Sequence, residues 1–294
     1  MPLLSPVGED AALARLLRAF PDHGPDLLVG PGDDCAVTPR DTQWDTLLKA
    51  DALVESVHFT PDTPAPLIGR KALARAVSDI AAMGGLPEHA LVTMMAHPSR
   101  SLEFLESIYR GMAELARDFG ISLAGGETTS LPHNGLAISV TLIGRVERGQ
   151  ALLRSGGIPG DILCVSGALG GSFQSGRHLT FTPRVDLARR LIEHGLRPHA
   201  MMDISDGLAA DLPRMARACG CDFALHYDRL PRHAGCSIEQ ALSDGEDYEL
   251  LIALPPELEQ AALDHGLSVI GALVSGSAHS MSGGWQHFSS PSQA

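Results

Sequence analysis

Acidic residues recur in this chain beside glycines and at what read as strand ends, a pattern able to hold cations. The stretch VGPGDDCAV (29–37) sets Asp33 and Asp34 side by side after a Gly-Pro-Gly turn. Asp and Gly are ordinary turn residues, but adjacent carboxylates also suit a hard cation. In KADALVESVHF (49–59), Asp51 closes a strand and His58 follows seven residues later. In ARAVSDIAAMGG (74–85), Asp79 sits in a helix among Ala, Val, Ile and Met. A helix apolar on most faces is buried, and a lone buried carboxylate is costly unless paired or bound to a cation. The competing reading makes Ser78 and Asp79 an exposed stripe.

LAGGETTS (123–130) ends a strand in a Gly pair before Glu127, Thr128 and Thr129. Glycine lets a backbone approach a phosphate, and Glu or Thr oxygens suit Mg²⁺; otherwise the segment is a polar hairpin loop. In MMDISDGLAADL (201–212), Asp203 and Asp206 bracket Ser205 at a strand-to-helix junction. That is an ordinary N-cap or a phosphate seat, and Pro213 should kink or restart the helix. SDGEDYELLIAL (243–254) puts Glu246 and Asp247 directly before a strand, and VSGALGGS (165–172) is a glycine loop after one. Arg154, beside a Gly pair, is either a phosphate clamp or a solvated surface residue. Together the carboxylates outnumber nearby basic residues, so ion pairing is not expected to neutralise them all. Several oxygen-bound cations are the economical explanation, and such clusters serve phosphoryl transfer. No Walker A loop, protein-kinase signature or Ser-His-Asp pattern is present.

The elements that must position these groups fall into two halves. The chain has 294 residues, 44% hydrophobic and 19% charged, which fits a globular protein of one large or two ordinary domains. A formal charge of −13 argues against a nucleic-acid or membrane-surface role, although cations can join an acidic site to phosphates. No membrane-spanning run or signal peptide is seen, and five cysteines lack a CxxC pair; a reducing cytoplasm is expected. The patterning predicts a helix over 9–20, with Leu13, Leu16 and Leu17 on one face, strands at 27–29, 46–52, 89–95, 121–124 and 136–146, and helices at 66–83 and 101–119. LLRSGGIPGD (152–161) reads as a junction. Beyond it come a strand at DILCVSG, helices at 184–195 and 207–219, strands at 222–226 and 248–254, a helix at 256–265 and a strand at 267–274. The fold class expected is mixed α+β in two domains, 1–150 and 151–294.

The ordered series GDDCAV, DALVESVHF, SDIAAMGG, GGETT, LLRSGGIPGD, SGALGG, DISDGLAADL and GEDYELL resembles the thiamine-monophosphate kinase family, from about residue 5 to 274, with a looser echo at WQHF (285–288). Related families of the same fold include aminoimidazole ribonucleotide synthetase, selenophosphate synthetase and a hydrogenase-maturation protein. The resemblance implies ATP-dependent phosphorylation of thiamine monophosphate to thiamine diphosphate by direct in-line transfer, without a phosphoenzyme. It implies a homodimer whose N-terminal halves, which bind ATP and Mg²⁺, pair their sheets. It further implies that Asp34, Asp51, Asp79, Glu127, Asp203 and Asp206 hold several Mg²⁺ ions, with Asp51 and Asp206 central to catalysis. Gly126, Arg154 and Ser205 would contact ATP; His58, Glu246 and Trp285 would touch thiamine monophosphate; Asp33 would support the turn.

This chain departs from the family pattern in three places. Lys49-Ala50-Asp51 replaces a Ser/Thr-x-Asp element, Glu127 stands for the Asp of GGDT, and Gly171 stands for an Asp in a loop shorter than usual. Either the first two changes compensate or one ion is lost. The alternatives are a degenerate protein that binds nucleotide or thiamine diphosphate without catalysis, and a related synthetase with another substrate. The presence of all five aspartates favours the kinase.

Overall fold

Residues 9–19 and 24–285 are described in a computed structural model of the chain. The first half runs α1 (Glu9–Leu17), β1 (Ala36–Pro39), β2 (Trp44–Val54), α2 (Ala65–Ala82), β3 (Leu86–Ala96), α3 (Leu102–Asp118), β4 (Ser122–Ser130) and β5 (Leu136–Glu147). Its sheet has the order β1-β2-β5-β3-β4, antiparallel except for the β3–β4 pair. Alternation builds the core: along β5, Leu136, Ile138, Val140, Leu142 and Val146 are buried while their neighbours are half-buried. These side chains pack with those of α2 and α3. The two helices touch backbone to backbone: a Cβ on Gly111 would lie 1.8 Å from the Pro66 carbonyl oxygen, and one on Gly69 1.8 Å from that of Ile108.

The second half runs β6 (Ile162–Val165), α4 (Ser172–Ser175), α5 (Val185–Glu193), β7 (Ala200–Ile204), α6 (Leu208–Ala218), β8 (Asp222–Leu225), α7 (Ile238–Ser243), β9 (Glu249–Leu254), α8 (Glu259–Asp264) and β10 (Ser268–Val274). Its antiparallel sheet has the order β7-β9-β6-β10-β8. Successive residues of each central strand enter two different cores. Leu163, Val165, Leu251 and Ala253 pack with α6, whereas Ile162, Cys164, Leu250 and Ile252 pack with α5 and α8. That two-sided burial is why ELLIAL reads as an unbroken apolar run.

Several expectations are corrected. GGETT is not a loop: β4 continues through it to Ser130, pairing in parallel with β3, and all nine of its residues are exposed. The expected strand at 27–29 is a single bridge, Val29 to Val37. Pro213 does not restart the helix: α6 runs unbroken through it, and Leu212, Met215 and Ala216 are fully buried around it and support the span. The leucine face of α1 is turned outward, with Leu13 50% and Leu16 65% exposed. Patterning overlooked β1 and the short α7, which a Ser237–Gln240 capping box begins.

Candidate active site

Helix α2 carries a charged stripe through a largely apolar surface. Lys71, Arg75 and Asp79 follow one another at four-residue spacing and so share a face, and each meets a group of opposite charge. The fully buried Lys71 ammonium lies 2.5 Å from Glu246 Oε2 and donates to the His58 carbonyl. Arg75 Nε lies 3.1 Å from Asp51 Oδ2, an ion pair without hydrogen-bond alignment, and its NH1 donates to the Ala52 carbonyl. Asp79 Oδ1 accepts from Lys49 Nζ at 2.7 Å. Lys49 and Asp51 occur at alternate positions of β2, so they leave the same face of the strand. Ser78 is buried beside Asp79 and donates to Asp203 Oδ2 at 2.6 Å. The exposed-stripe reading of Ser78 and Asp79 is thereby excluded, and the first half is joined to β7 of the second.

Asp34 arrives from the turn before β1. Its Oδ1 accepts from Arg154 Nε at 3.0 Å and from NH2 at 2.5 Å. Its Oδ2 is buried and has no hydrogen-bond partner. Asp33 supports the turn, accepting the backbone N–H groups of Asp34 and Arg154. Asp34, Asp79 and Asp203 are all buried, and one oxygen of each lies within 4.8 Å of the others. Burial pushes the Asp79 carboxyl well above its usual range, with Lys49 pulling against it. Burial, and then Asp34, raise Asp203 to about 6; burial and Asp34 likewise raise Asp33 to about 6. For Lys49 burial works against the charge, but Asp79 and then Asp51 outweigh it and hold the ammonium protonated. Three carboxylates thus face two cations, and the orphaned Asp34 oxygen leaves a lone pair that a hard cation would satisfy.

Beside this cluster opens a cavity of about 230 Å³. Arg75, which pairs with Asp51, and Ser205 and Asp206, which follow Asp203 in the chain, line it together with His58, Glu246 and Trp285, so the structure gathers the three expected substrate residues in one pocket. His58 Nδ1 accepts the Val54 N–H, which leaves the proton of the neutral ring on Nε2. Glu246 is left-handed, with φ of 53°, and its N–H donates to the Ser205 carbonyl at 2.6 Å. Such a conformation in a non-glycine residue is stored strain. The Trp285 N–H donates to the Asp206 carbonyl at 2.7 Å, docking the end of the described chain on the start of α6. Asp244, Phe173 and Tyr248 add one carboxylate and two rings to the walls.

Asp206 pairs with Arg214 at 2.5 Å. Neither Ser205 nor Asp206 is the N-cap of α6. That position is Gly207, and buried Asp211 reaches back from the first turn to accept the N–H groups of both Ser205 and Asp206. Burial, then Asp206, push the Asp211 carboxyl up to about 8. Sequence reasoning missed Lys71, Arg75 and Asp211. The four-residue spacing back from Asp79 was a usable signal for the first two; nothing local marked Asp211.

Two expected residues stand apart. Gly126 and Glu127 lie on the exposed edge strand β4, opposite Val92 and Thr93. The order β2-β5-β3-β4 puts three strand spacings between Asp51 and Glu127, roughly 14 Å at ~4.8 Å each. Arg154 is neither a solvated residue nor aimed at open space, because it holds Asp34. As expected, ion pairing does not neutralise all of the carboxylates: among the described residues Asp203 and Glu127 have no ion pair, although more cationic partners are present than the local sequence suggested. Asp34, Asp51, Asp79, Asp206 and Glu246 each have a cationic partner, drawn from distant parts of the chain or, for Asp206, from the next turns of α6.

The same arrangement of halves occurs in known proteins. Residues 32–146 match the AIR synthase related protein N-terminal domain, and residues 141–281 match the corresponding C-terminal domain. The chain is 37% identical over 260 residues to the thiamine-monophosphate kinase of Rhodopirellula baltica, covering 82% of this chain and 80% of that one. It belongs to the thiamine-monophosphate kinase family. Among solved members, AaThiL complexed with AMPPCP and TMP superposes with a TM-score of 0.86 at 28% identity, covering 98% of this chain and 99% of that one. The thiamine-monophosphate kinase from Stenotrophomonas maltophilia K279a gives 0.73 at 33% identity, with 92% and 94% covered. Of the charged stripe of α2, Lys71 ties the two halves together through Glu246, while Arg75 and Asp79 pair within the first half.

Proposed function

We propose that this chain transfers the γ-phosphoryl group of ATP directly to the phosphate of thiamine monophosphate. The observation that carries the reading is the junction of two unlike environments. The pocket wall made by Phe173, Tyr248 and Trp285 with Asp244 and Glu246 suits a cationic heteroaromatic group such as thiamine. Arg75, which also pairs with Asp51, and Ser205 suit its phosphate. Lys71 fixes Glu246 and the His58 backbone together, so the pocket is set before substrate arrives.

Asp34, Asp79 and Asp203 would hold Mg²⁺, with Asp51 and Asp206 as further ligands. Bound there, the ions would neutralise the phosphate charges that the acidic site otherwise repels. Arg154 would turn from Asp34 toward ATP, and Ser205 would donate its hydroxyl to a phosphate oxygen. Gly126 and Glu127 would join only through a second copy of the chain. The unpaired outer edge of β4, exposed along its whole length, fits such a homodimer. In this division of labour, residues 1–150 carry ATP, magnesium and the dimer contact, and residues 151–294 close the substrate pocket. A second reading, binding without catalysis, draws on the ammonium of Lys49 standing on Asp79.

The test is incubation with ATP, Mg²⁺ and thiamine monophosphate, with thiamine and inorganic phosphate as alternative acceptors. ADP and thiamine diphosphate should appear one for one, with thiamine monophosphate preferred. Tight binding of both substrates without product would favour the second reading.

A further inference from the structure

Among the described residues, Lys49 is the cation that enters the carboxylate cluster from the sheet. Its side chain is 22% exposed, against 8% for that of Asp79, and its ammonium is 2.7 Å from Asp79 Oδ1. A Mg²⁺ ion on that oxygen would sit at roughly 2.1 Å and bring its own tightly held waters. Ammonium and ion cannot share the same lone-pair direction. Arg154 takes Oδ1 of Asp34, and Ser78 takes Oδ2 of Asp203. What remains for an ion is the orphaned Oδ2 of Asp34 and the oxygens of Asp79 and Asp203 that these contacts leave over. Before ATP draws Arg154 away, Lys49 and Arg154 leave the three clustered carboxylates about one negative charge, too little to draw several divalent ions together.

We propose that the Lys49 ammonium is a resident cation of this site, taking the place of one divalent ion beside Asp79. The chain then supplies from its own sequence a charge that a second ion would bring, and the cluster holds a single divalent ion. The proposal rests on the reading of Asp34, Asp79 and Asp203 as metal ligands, but not on turnover. Its consequence is a count: removing the ammonium opens a place for one more ion.

The experiment counts Mn²⁺ bound per protomer by equilibrium dialysis, with free Mn²⁺ read by electron paramagnetic resonance and folding by circular dichroism. Lys49→Ala should bind one more Mn²⁺ than the unaltered chain, and Lys49→Arg the same number as the unaltered chain. Should Lys49→Ala fail to fold, Lys49→Met keeps the length without the charge and should gain the same ion. An unchanged or lower count in folded Lys49→Ala or Lys49→Met would overturn the proposal, as would an unaltered chain that binds no Mn²⁺. A gain of one ion in a protein that makes no thiamine diphosphate would leave the proposal standing and remove the kinase reading.

Discussion

At the residue scale, the site stores unfavourable charge. Asp33 and Asp203 sit at about 6 and Asp211 at about 8, each raised first by burial. An unfolded chain releases these protons near pH 4. Between pH 4 and 8 the folded chain therefore holds more protons than the unfolded one, and these groups cost stability as pH rises. A bound cation reverses the penalty once the carboxylates ionise. In EDTA the melting temperature should fall from pH 5 to pH 8; Mg²⁺ should raise it by about 5 °C or more at pH 8 and far less at pH 5. Equal effects of Mg²⁺ at both pH values would contradict this. Most of the aspartates were legible in the sequence because glycine and strand-end context set them apart, and Asp79 because the helix around it is apolar. Their partners were not. Arg154 reaches Asp34 across 120 positions, and Lys71 reaches Glu246 across 175. No local pattern predicts such pairs.

At the element scale, α2 does most of the positioning. It can do so because α3 supports it at contact distance. Gly111 is needed there for space and not for backbone freedom, since an added Cβ would strike the Pro66 carbonyl at 1.8 Å. Gly111→Ala should destabilise the fold by about 2 kcal/mol, read as a lower urea midpoint at unchanged slope. A midpoint within error of the unaltered chain would mean that the helices separate freely. Helices α2 and α3 were legible to within two residues at each end, because their periodicity is long and Ser101 caps the second, accepting the Phe104 N–H. Strand β4 was misread beyond residue 124. Two glycines followed by Glu-Thr-Thr carry little apolar signal, and the pairing with β3 that extends the strand is a tertiary fact.

At the scale of the whole molecule, the site is an interface. Asp34, Asp51 and Asp79 come from the first half, Asp203 and Asp206 from the second, and the seam is closed by hydrogen bonds that include Ser78 to Asp203, Arg154 to Asp34 and Lys71 to Glu246. The two-half architecture was legible from the Gly- and Pro-rich stretch at 152–161 and from the alternation on either side. That the seam itself would be acidic was not. The exposed β4 edge makes a further demand. Sedimentation should give a mass near twice 31.0 kDa, and Leu123→Asp, altering a side chain 60% exposed on that strand, should shift it toward the monomer and lower activity. A monomeric unaltered chain with full activity would contradict the pairing.

The most direct measurement follows the phosphoryl group itself. With γ-³²P-labelled ATP, Mg²⁺ and thiamine monophosphate, the label should move into thiamine diphosphate in a single turnover. None should be held on the protein, and Asp203→Asn should transfer at least about a hundredfold less. Label appearing only as inorganic phosphate, or trapped on the chain, would contradict direct transfer at this site.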